Sequence, residues 1–274
     1  MLTWQLADSI WEPLSTLPEE AVEIASWPMW IGSSAIVHCH KSGPSIWLSH
    51  EDIGAVRCSH DGHTIEVFPG PDQDPEQFIQ NYVKHWLPFI YHYWGFQVLH
   101  SSAVMQNGAA VAFAGDTHAG KSTLAYGLSR RGRWAQLADD TLAFEVLEER
   151  IKLVPLLNWP RIRPSSRDHF ALKSTPATIT WPAESPRLRR IYYLVPGDAA
   201  SAIGIRKLPA SDAQLRLLKQ AFALTLDLED YSKRLMRAYL TLLSEVPMFE
   251  LTYPKDLRQL DRVLDEVEAH TADL

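Results

Sequence analysis

From Leu2 to Gly70 the apolar positions come in short alternating runs, Ala35–Cys39, Ser45–Ser49 and Thr64–Phe68, closed off by Ser42-Gly43-Pro44, Asp61-Gly62 and Pro69-Gly70-Pro71. Period-two alternation between glycine and proline punctuation predicts strands of a half-buried sheet. Asp61-Gly62 between two runs is the pair that a tight hairpin turn with positive φ requires. Residues 1–74 are therefore expected to form a small β-rich module, with Pro71 to Pro75 as a linker. Asp74-Pro75-Glu76 then offers a helix cap with proline at the first helical position, and Phe78, Tyr82, Val83, Trp86 and Leu87 recur at helical spacing.

Past Gly95 the runs become extended again. One strand is expected over Val98–Val104, a turn at Asn107-Gly108, and a second strand over Ala109–Ala114. A short helix ending at Arg131-Gly132 is followed by expected strands at Gln136–Asp140, Leu142–Leu147 and Arg190–Val195. Apolar stripes predict helices over Ala213–Leu226 and Leu228–Ser244. Met248–Tyr253 reads as a last strand, and Leu257, Leu260, Val263, Leu264 and Val267 line one face of a final helix opened by Pro254. The pattern is α/β, with residues 75–274 as the second domain and its main α/β part beginning past Gly95. No internal repeat or low-complexity tract interrupts it.

Composition narrows the function classes. With 274 residues, 46% hydrophobic and ten Trp, the chain can bury a sizeable core. A formal net charge of −7 argues against coating nucleic acid or an anionic membrane surface, which needs excess Lys and Arg. The basic residues gather locally, at Arg130, Arg131 and Arg133, at Arg161, Arg163 and Arg167, and at Arg187, Arg189 and Arg190; each group suits either a solvated face or a phosphate. Two cysteines and no signal-like start point to the cytoplasm, and the most apolar stretch, Phe78–Leu99, carries Lys84, Pro88 and histidines, so no membrane span is expected. His38-Cys39-His40 and Cys58 with His60 and His63 are zinc-ligand types, but alternation turns Cys39 away from His38 and His40, and a plain β-module is the preferred reading.

The chemistry sits in one segment. Gly115-Asp116-Thr117-His118-Ala119-Gly120-Lys121-Ser122, followed by Thr123, fits the phosphate-binding pattern G-x-x-x-x-G-K-[ST] between an apolar strand and a helix. Glycines let backbone N–H groups turn toward phosphates, the helix start adds partial positive charge, and Lys121 is placed to reach the β and γ phosphates of ATP. Ser122 is expected to ligate Mg²⁺. Downstream, Asp139 and Asp140 close the run Gln136-Leu137-Ala138. One carboxylate of the pair can hold Mg²⁺ while its neighbour, pointing elsewhere, accepts a proton from an attacking hydroxyl; if Asp140 is the acceptor, Asp139 is the Mg²⁺ ligand.

On Leu99-His100, Gly115 to Thr123, Arg131-Gly132 and Ala138-Asp139-Asp140, and more loosely on Asn158–Pro164 and Val246–Leu257, the chain resembles the HPr kinase/phosphorylase family, particularly its short single-chain relatives found with peptide-modifying genes. The resemblance implies a phosphoenolpyruvate-carboxykinase-like P-loop fold with a mixed-sheet core behind the β-rich module, and a serine as phosphoacceptor. It implies Asp140 as proton acceptor, Lys121 as phosphate lysine, Ser122 as Mg²⁺ ligand and His100 as a histidine near the reacting phosphate. The family's Glu-x-Arg-Gly segment is missing, which argues against a reverse, phosphorylase reaction. The first-choice acceptor is the C-terminal serine of a lasso-peptide precursor; an HPr-type protein kinase, a small-metabolite kinase and an ATP-responsive binding module stay open, as does a homo-oligomer. Arg161 or Arg163, two apart in an extended proline-bounded segment, would share a face and stabilise the transferring phosphoryl group, with structural ion pairs an equal explanation.

Overall fold

Alternating sequence becomes sheet in the amino-terminal part of the computed structural model, which describes residues 3–7, 12, 16–28, 34–59, 64–79, 84–155, 164–172, 181–222 and 229–274. Strands β1 (Thr3–Leu6), β2 (Val22–Pro28), β3 (Ile36–Ser42), β4 (Ser45–His50), β5 (Gly54–Cys58) and β6 (Thr64–Pro69) form one sheet in the order β1-β6-β5-β4-β3-β2. All neighbours are antiparallel except β1 and β6. The tip at Asp61-Gly62 and the residues His60 and His63 lie outside the described residues, but the strands the tip joins are antiparallel, with Cys58 opposite Ile65. Cys39 and Cys58 are buried free thiols, raised in pKa by burial, Cys39 to about 12. Among the described residues no cluster of three His, Cys, Asp or Glu is placed to hold a metal ion.

The chain divides into two compact units, Met1–Gly95 and Phe96–Leu274, later than the boundary at 74/75 expected from the linker-like prolines. Helices account for the difference. Asp74 caps α1 (Pro75–Phe78) by accepting from Gln77 N–H at 2.9 Å, and α2 (Lys84–Tyr93) follows; Tyr82 and Val83 lie outside the described residues. Phe78 and Trp86 are buried edge-to-face at 5.8 Å, and Trp94 Nε1 donates to the Ser59 carbonyl at 2.8 Å. The Trp94 bond ties the end of the helical segment to the chain leaving β5, and Phe89 of α2 stacks on Trp27 of β2 at 3.9 Å, which joins the helices to the first sheet.

The second unit contains strands β7 (Gln97–Leu99), β8 (Ser101–Gln106), β9 (Ala109–Ala114), β10 (Ala135–Ala138), β11 (Leu142–Leu147), β12 (Arg150–Val154), β13 (Arg187–Gly197), β14 (Gly204–Lys207) and β15 (Met248–Pro254). Its helices are α3 (Lys121–Arg130), α4 (Pro164–His169), α5 (Ala210–Lys219), α6 (Glu229–Glu245) and α7 (Leu260–His270). A six-stranded mixed sheet runs β10-β8-β9-β13-β15-β14, and a three-stranded sheet runs β12-β11-β7. The β8–β9 hairpin turns at Asn107 and Gly108, both at positive φ, as its two-residue turn demands. Side chains alternate across β9: Ala110 and Ala112 join a core with Leu217, Tyr239 and Leu242 of α5 and α6, whereas Val111 and Phe113 join one with Leu124, Leu128, Val263 and Leu264 of α3 and α7. The sheet is thus sandwiched between two helical layers. Strand β13 is parallel to both β9 and β15, so all three end at the same edge.

Several boundaries differ from the sequence pattern. The expected strand over Val98–Val104 breaks at His100, with β7 in the small sheet and β8 in the large one. The expected strand over Gln136–Asp140 ends at Ala138, because Asp140 adopts φ +65° and leaves the ladder. The helix read over Ala213–Leu226 runs Ala210–Lys219; Ala221 bridges to Leu99 instead, and 223–228 lie outside the described residues. The last helix is opened not by Pro254 but through a 3₁₀ turn, Leu257–Gln259, whose cap is Asp256 accepting from Arg258 N–H. Strands β12 and β14 were not expected. No helix among the described residues is long and apolar enough to cross a membrane.

Candidate active site

The phosphate-loop pattern folds as its residue types require. After β9, Gly115 adopts φ +147° and Gly120 φ +96°, and α3 begins at Lys121. A β-carbon on Gly115 would come 3.1 Å from the Leu194 carbonyl, and one on Gly120 would come 2.8 Å from the Tyr253 hydroxyl, so both positions also need the space. His118 carries a side chain at φ +70° in the middle of the loop. Lys121, although only 7% exposed, donates from Nζ to the Gly115 carbonyl at 2.9 Å and to the Asp116 carbonyl at 3.3 Å. Two tyrosines brace the loop from neighbouring strands: Tyr193 donates to Asp116 Oδ1 at 3.1 Å, and Tyr253 donates to the Ala119 carbonyl. Burial raises the pKa of both phenols, which keeps them protonated donors.

Two strand breaks deliver the other half of the site. Strands β10 and β8 pair in the large sheet, β11 and β7 in the small one, and each chain crosses between sheets at one level. His100 stands in the β7–β8 break and Asp140 in the β10–β11 break, and His100 Nε2 lies 2.9 Å from Asp140 Oδ1. The His100 backbone N–H is held by the Gln220 carbonyl at 2.8 Å. Asp139 is only 2% exposed, and its Oδ1 accepts from Ser102 Oγ at 2.6 Å. The neighbouring aspartates are therefore separated by the turn geometry, one committed to the interior and one presented outward.

A cavity of about 930 Å³ collects these parts. Its wall includes Thr117, His118, Ala119, Gly120, Lys121, Ser122 and Thr123, together with His100 and Asp140. Asp139 is not part of the wall; Gly115 and Asp116 shape the loop from behind. Arg161 and Arg163 lie outside the described residues. For a magnesium ion, the wall offers the Ser122 hydroxyl and the Asp140 carboxylate, hard oxygen donors of the kind that Mg²⁺ uses beside phosphate oxygens and water.

Comparisons with known proteins add little beyond this geometry. No protein-family model matches the chain, and no curated protein matches it. Among solved structures it is similar to the Hpr(Ser) kinase/phosphatase from Coxiella burnetii, at 12% identity and a TM-score of 0.36, over 65% of this chain and 97% of that one. That is a distant likeness, and no residue role is carried across it.

The structure also supplies wall residues to which the sequence pattern assigned no role. Pro164, Ser165 and Ser166 of α4 line the cavity, with Ser166 Oγ 2.9 Å from Thr123 Oγ1. The β15 end contributes Tyr253, Pro254, Lys255, Asp256 and Leu257, and α7 adds Leu260 and Val263. The segment Tyr253-Pro254-Lys255-Asp256-Leu257 was the available signal, since it follows a strand parallel to the one that leads into the phosphate loop. The arginine groups resolve differently. Arg131 reaches Asp265 at 2.6 Å, Glu268 at 2.8 Å and Asp261 at 3.0 Å, fastening α3 to α7, and Arg190 grips Asp273 at 2.7 Å. Both are structural ties.

Proposed function

We propose that the second unit is an ATP-dependent phosphotransferase that passes the γ-phosphate to a serine-type hydroxyl on a peptide or protein. The observation that carries this reading is the shared cavity: a glycine-turned phosphate loop with Lys121 and Ser122 faces the same space as a carboxylate oriented by a histidine. Phosphoryl transfer needs little covalent chemistry from the protein beyond placing phosphate, cation and hydroxyl in line.

In this reading the acceptor hydroxyl lies against Asp140. Its oxygen bonds to the γ-phosphorus as the bond to the β–γ bridging oxygen breaks, ADP leaves, and the hydroxyl proton passes to Asp140. His100 holds the Asp140 carboxylate in place through Nε2. Lys121, released from its loop carbonyls, neutralises the leaving phosphate. Mg²⁺, when bound, would spread the charge of the phosphate chain. Ser122 is its ligand in this reading, and Asp139, behind the wall on Ser102, fixes the turn that presents Asp140. The acceptor we favour is the C-terminal serine of a lasso-peptide precursor.

Intact-mass measurement of serine-terminated peptides, and of HPr, after incubation with the protein, ATP and Mg²⁺ tests the proposal. A single added phosphate that disappears with Lys121→Ala supports it and names the acceptor. Steady ATP binding with no phosphate gained by any peptide or protein would move the reading to a metabolite kinase or an ATP-gated binding module.

A further inference from the structure

Among the described residues, the cavity wall offers few cations for phosphate. An ATP phosphate chain carries several negative charges, and the arginines expected from sequence to meet them lie outside the described residues. Of the described wall residues, only Lys121 and Lys255 are lysine or arginine. Lys121 is buried in the loop itself. Lys255 is exposed, and among the described residues its ammonium group makes no ion pair or hydrogen bond.

Its backbone, by contrast, is firmly held. The N–H of Lys255 donates to the Gly197 carbonyl at 3.1 Å, and two residues earlier Tyr253 donates to the Ala119 carbonyl within the phosphate loop. The adjacent acid does not neutralise it, because Asp256 accepts from Arg258 through both carboxylate oxygens, at 3.0 and 2.9 Å. That bonding to Arg258 holds the Asp256 carboxyl below its usual range. Beyond Lys255 the wall turns apolar, with Leu257, Leu260 and Val263. The loop thus places a solvated cation, unpaired among the described residues, between a phosphate cradle and an apolar surface suited to a nucleobase, at the carboxyl edge of three parallel strands where open α/β sheets bind ligands.

We infer that Lys255 is a second phosphate-binding cation of the nucleotide site, its ammonium group contacting the phosphate chain of a nucleoside di- or triphosphate whose base rests on the Leu257–Leu260–Val263 wall. The inference rests on the proposed nucleotide reading of the cavity and adds a residue to it. A lone lysine acts on phosphate as a mobile point charge, which suits a position at the rim better than inside the loop.

Titration calorimetry of ADP with Mg²⁺, and of adenosine, on the wild-type chain and the Lys255→Gln, Lys255→Arg and Lys121→Ala variants decides the matter. Lys255→Gln is expected to weaken ADP binding about tenfold, as for loss of one charge-assisted hydrogen bond. The loss should shrink as salt is raised, Lys255→Arg should restore most of the affinity, and adenosine affinity should not move. Wild-type affinity for ADP in Lys255→Gln, while Lys121→Ala loses it, would overturn the role of Lys255 and leave the nucleotide site standing. An equal loss for adenosine would put Lys255 on the base and overturn the phosphate contact. Failure of the wild-type chain to bind ADP at all would bring down both readings together.

Discussion

Asp140 joins a backbone requirement to a chemical one. Its φ of +65° is a conformation that Asp and Asn adopt more readily than most residues, so the position accepts a carboxylate or its amide with little change in the turn. Asp140→Asn is therefore expected to lower phosphotransfer by about 10²- to 10⁴-fold while nucleotide affinity stays near wild type, read by coupled turnover and calorimetry. Loss of ATP affinity with turnover retained would refute the assignment. Gly120→Ala tests the cradle from the other side: the new methyl group would crowd the Tyr253 hydroxyl at 2.8 Å in a left-handed position, and ADP binding should be severely weakened. Lys121 and Ser122 were named from the fixed spacing of the phosphate loop and His100 and Asp140 from resemblance, and the structure brings these four to one cavity. Tyr193, Tyr253 and Lys255 were not legible, since nothing in their local sequence says which strand end lies beside which.

Strand and helix ends show where pattern reading stopped short. Alternation identified β3, β4 and β6, and extended runs identified β9 and β11, yet neither could mark the breaks at His100 and Asp140, because a chain that leaves one sheet for another is strand-forming on both sides of the break. The apolar stripe of α7 was visible, but its ties to the rest of the unit were not. Arg131 spans three carboxylates on that helix, and Arg131→Ala is expected to cost about 1 kcal/mol in unfolding free energy, less at high salt, because its partners are largely exposed. Near the same helix's end, His270 Nδ1 lies 2.5 Å from the Tyr192 hydroxyl, whose pKa burial pushes up to about 12. Burial, and then the positive charge of Arg190, lower the His270 pKa from 6.5. The folded form thus prefers the neutral ring, and stability should fall as the pH drops below the unfolded value of about 6.5. Thermal unfolding of the wild-type chain between pH 7.5 and 5 should show this slope, and His270→Gln should flatten it.

Across the molecule, every described residue of the cavity wall belongs to the second of two separately cored units. Hydrogen exchange in the presence of ADP and Mg²⁺ is accordingly expected to slow at Gly115–Leu124 and at Lys255–Leu260, while the β3–β6 strands keep their rates. Slowing confined to the first sheet would move the ligand site. The α/β class was readable from periodicity. The boundary between the units was not, because a proline-rich stretch looks like a linker whether or not the helices after it pack back on the sheet before it. The paired breaks in β7–β8 and β10–β11 carry one more consequence. Asp139 and Asp140 are neighbours with opposite fates, one sealed inside with Ser102 and one offered to the cavity, so a one-residue slip that brought Thr141 into the place of Asp140 would take the carboxylate from the cavity while leaving strand content much as it was. Circular dichroism would not notice such a slip, whereas turnover, on the proposed reading, would, which makes specific activity the sensitive gauge of whether a preparation has aligned its strands correctly.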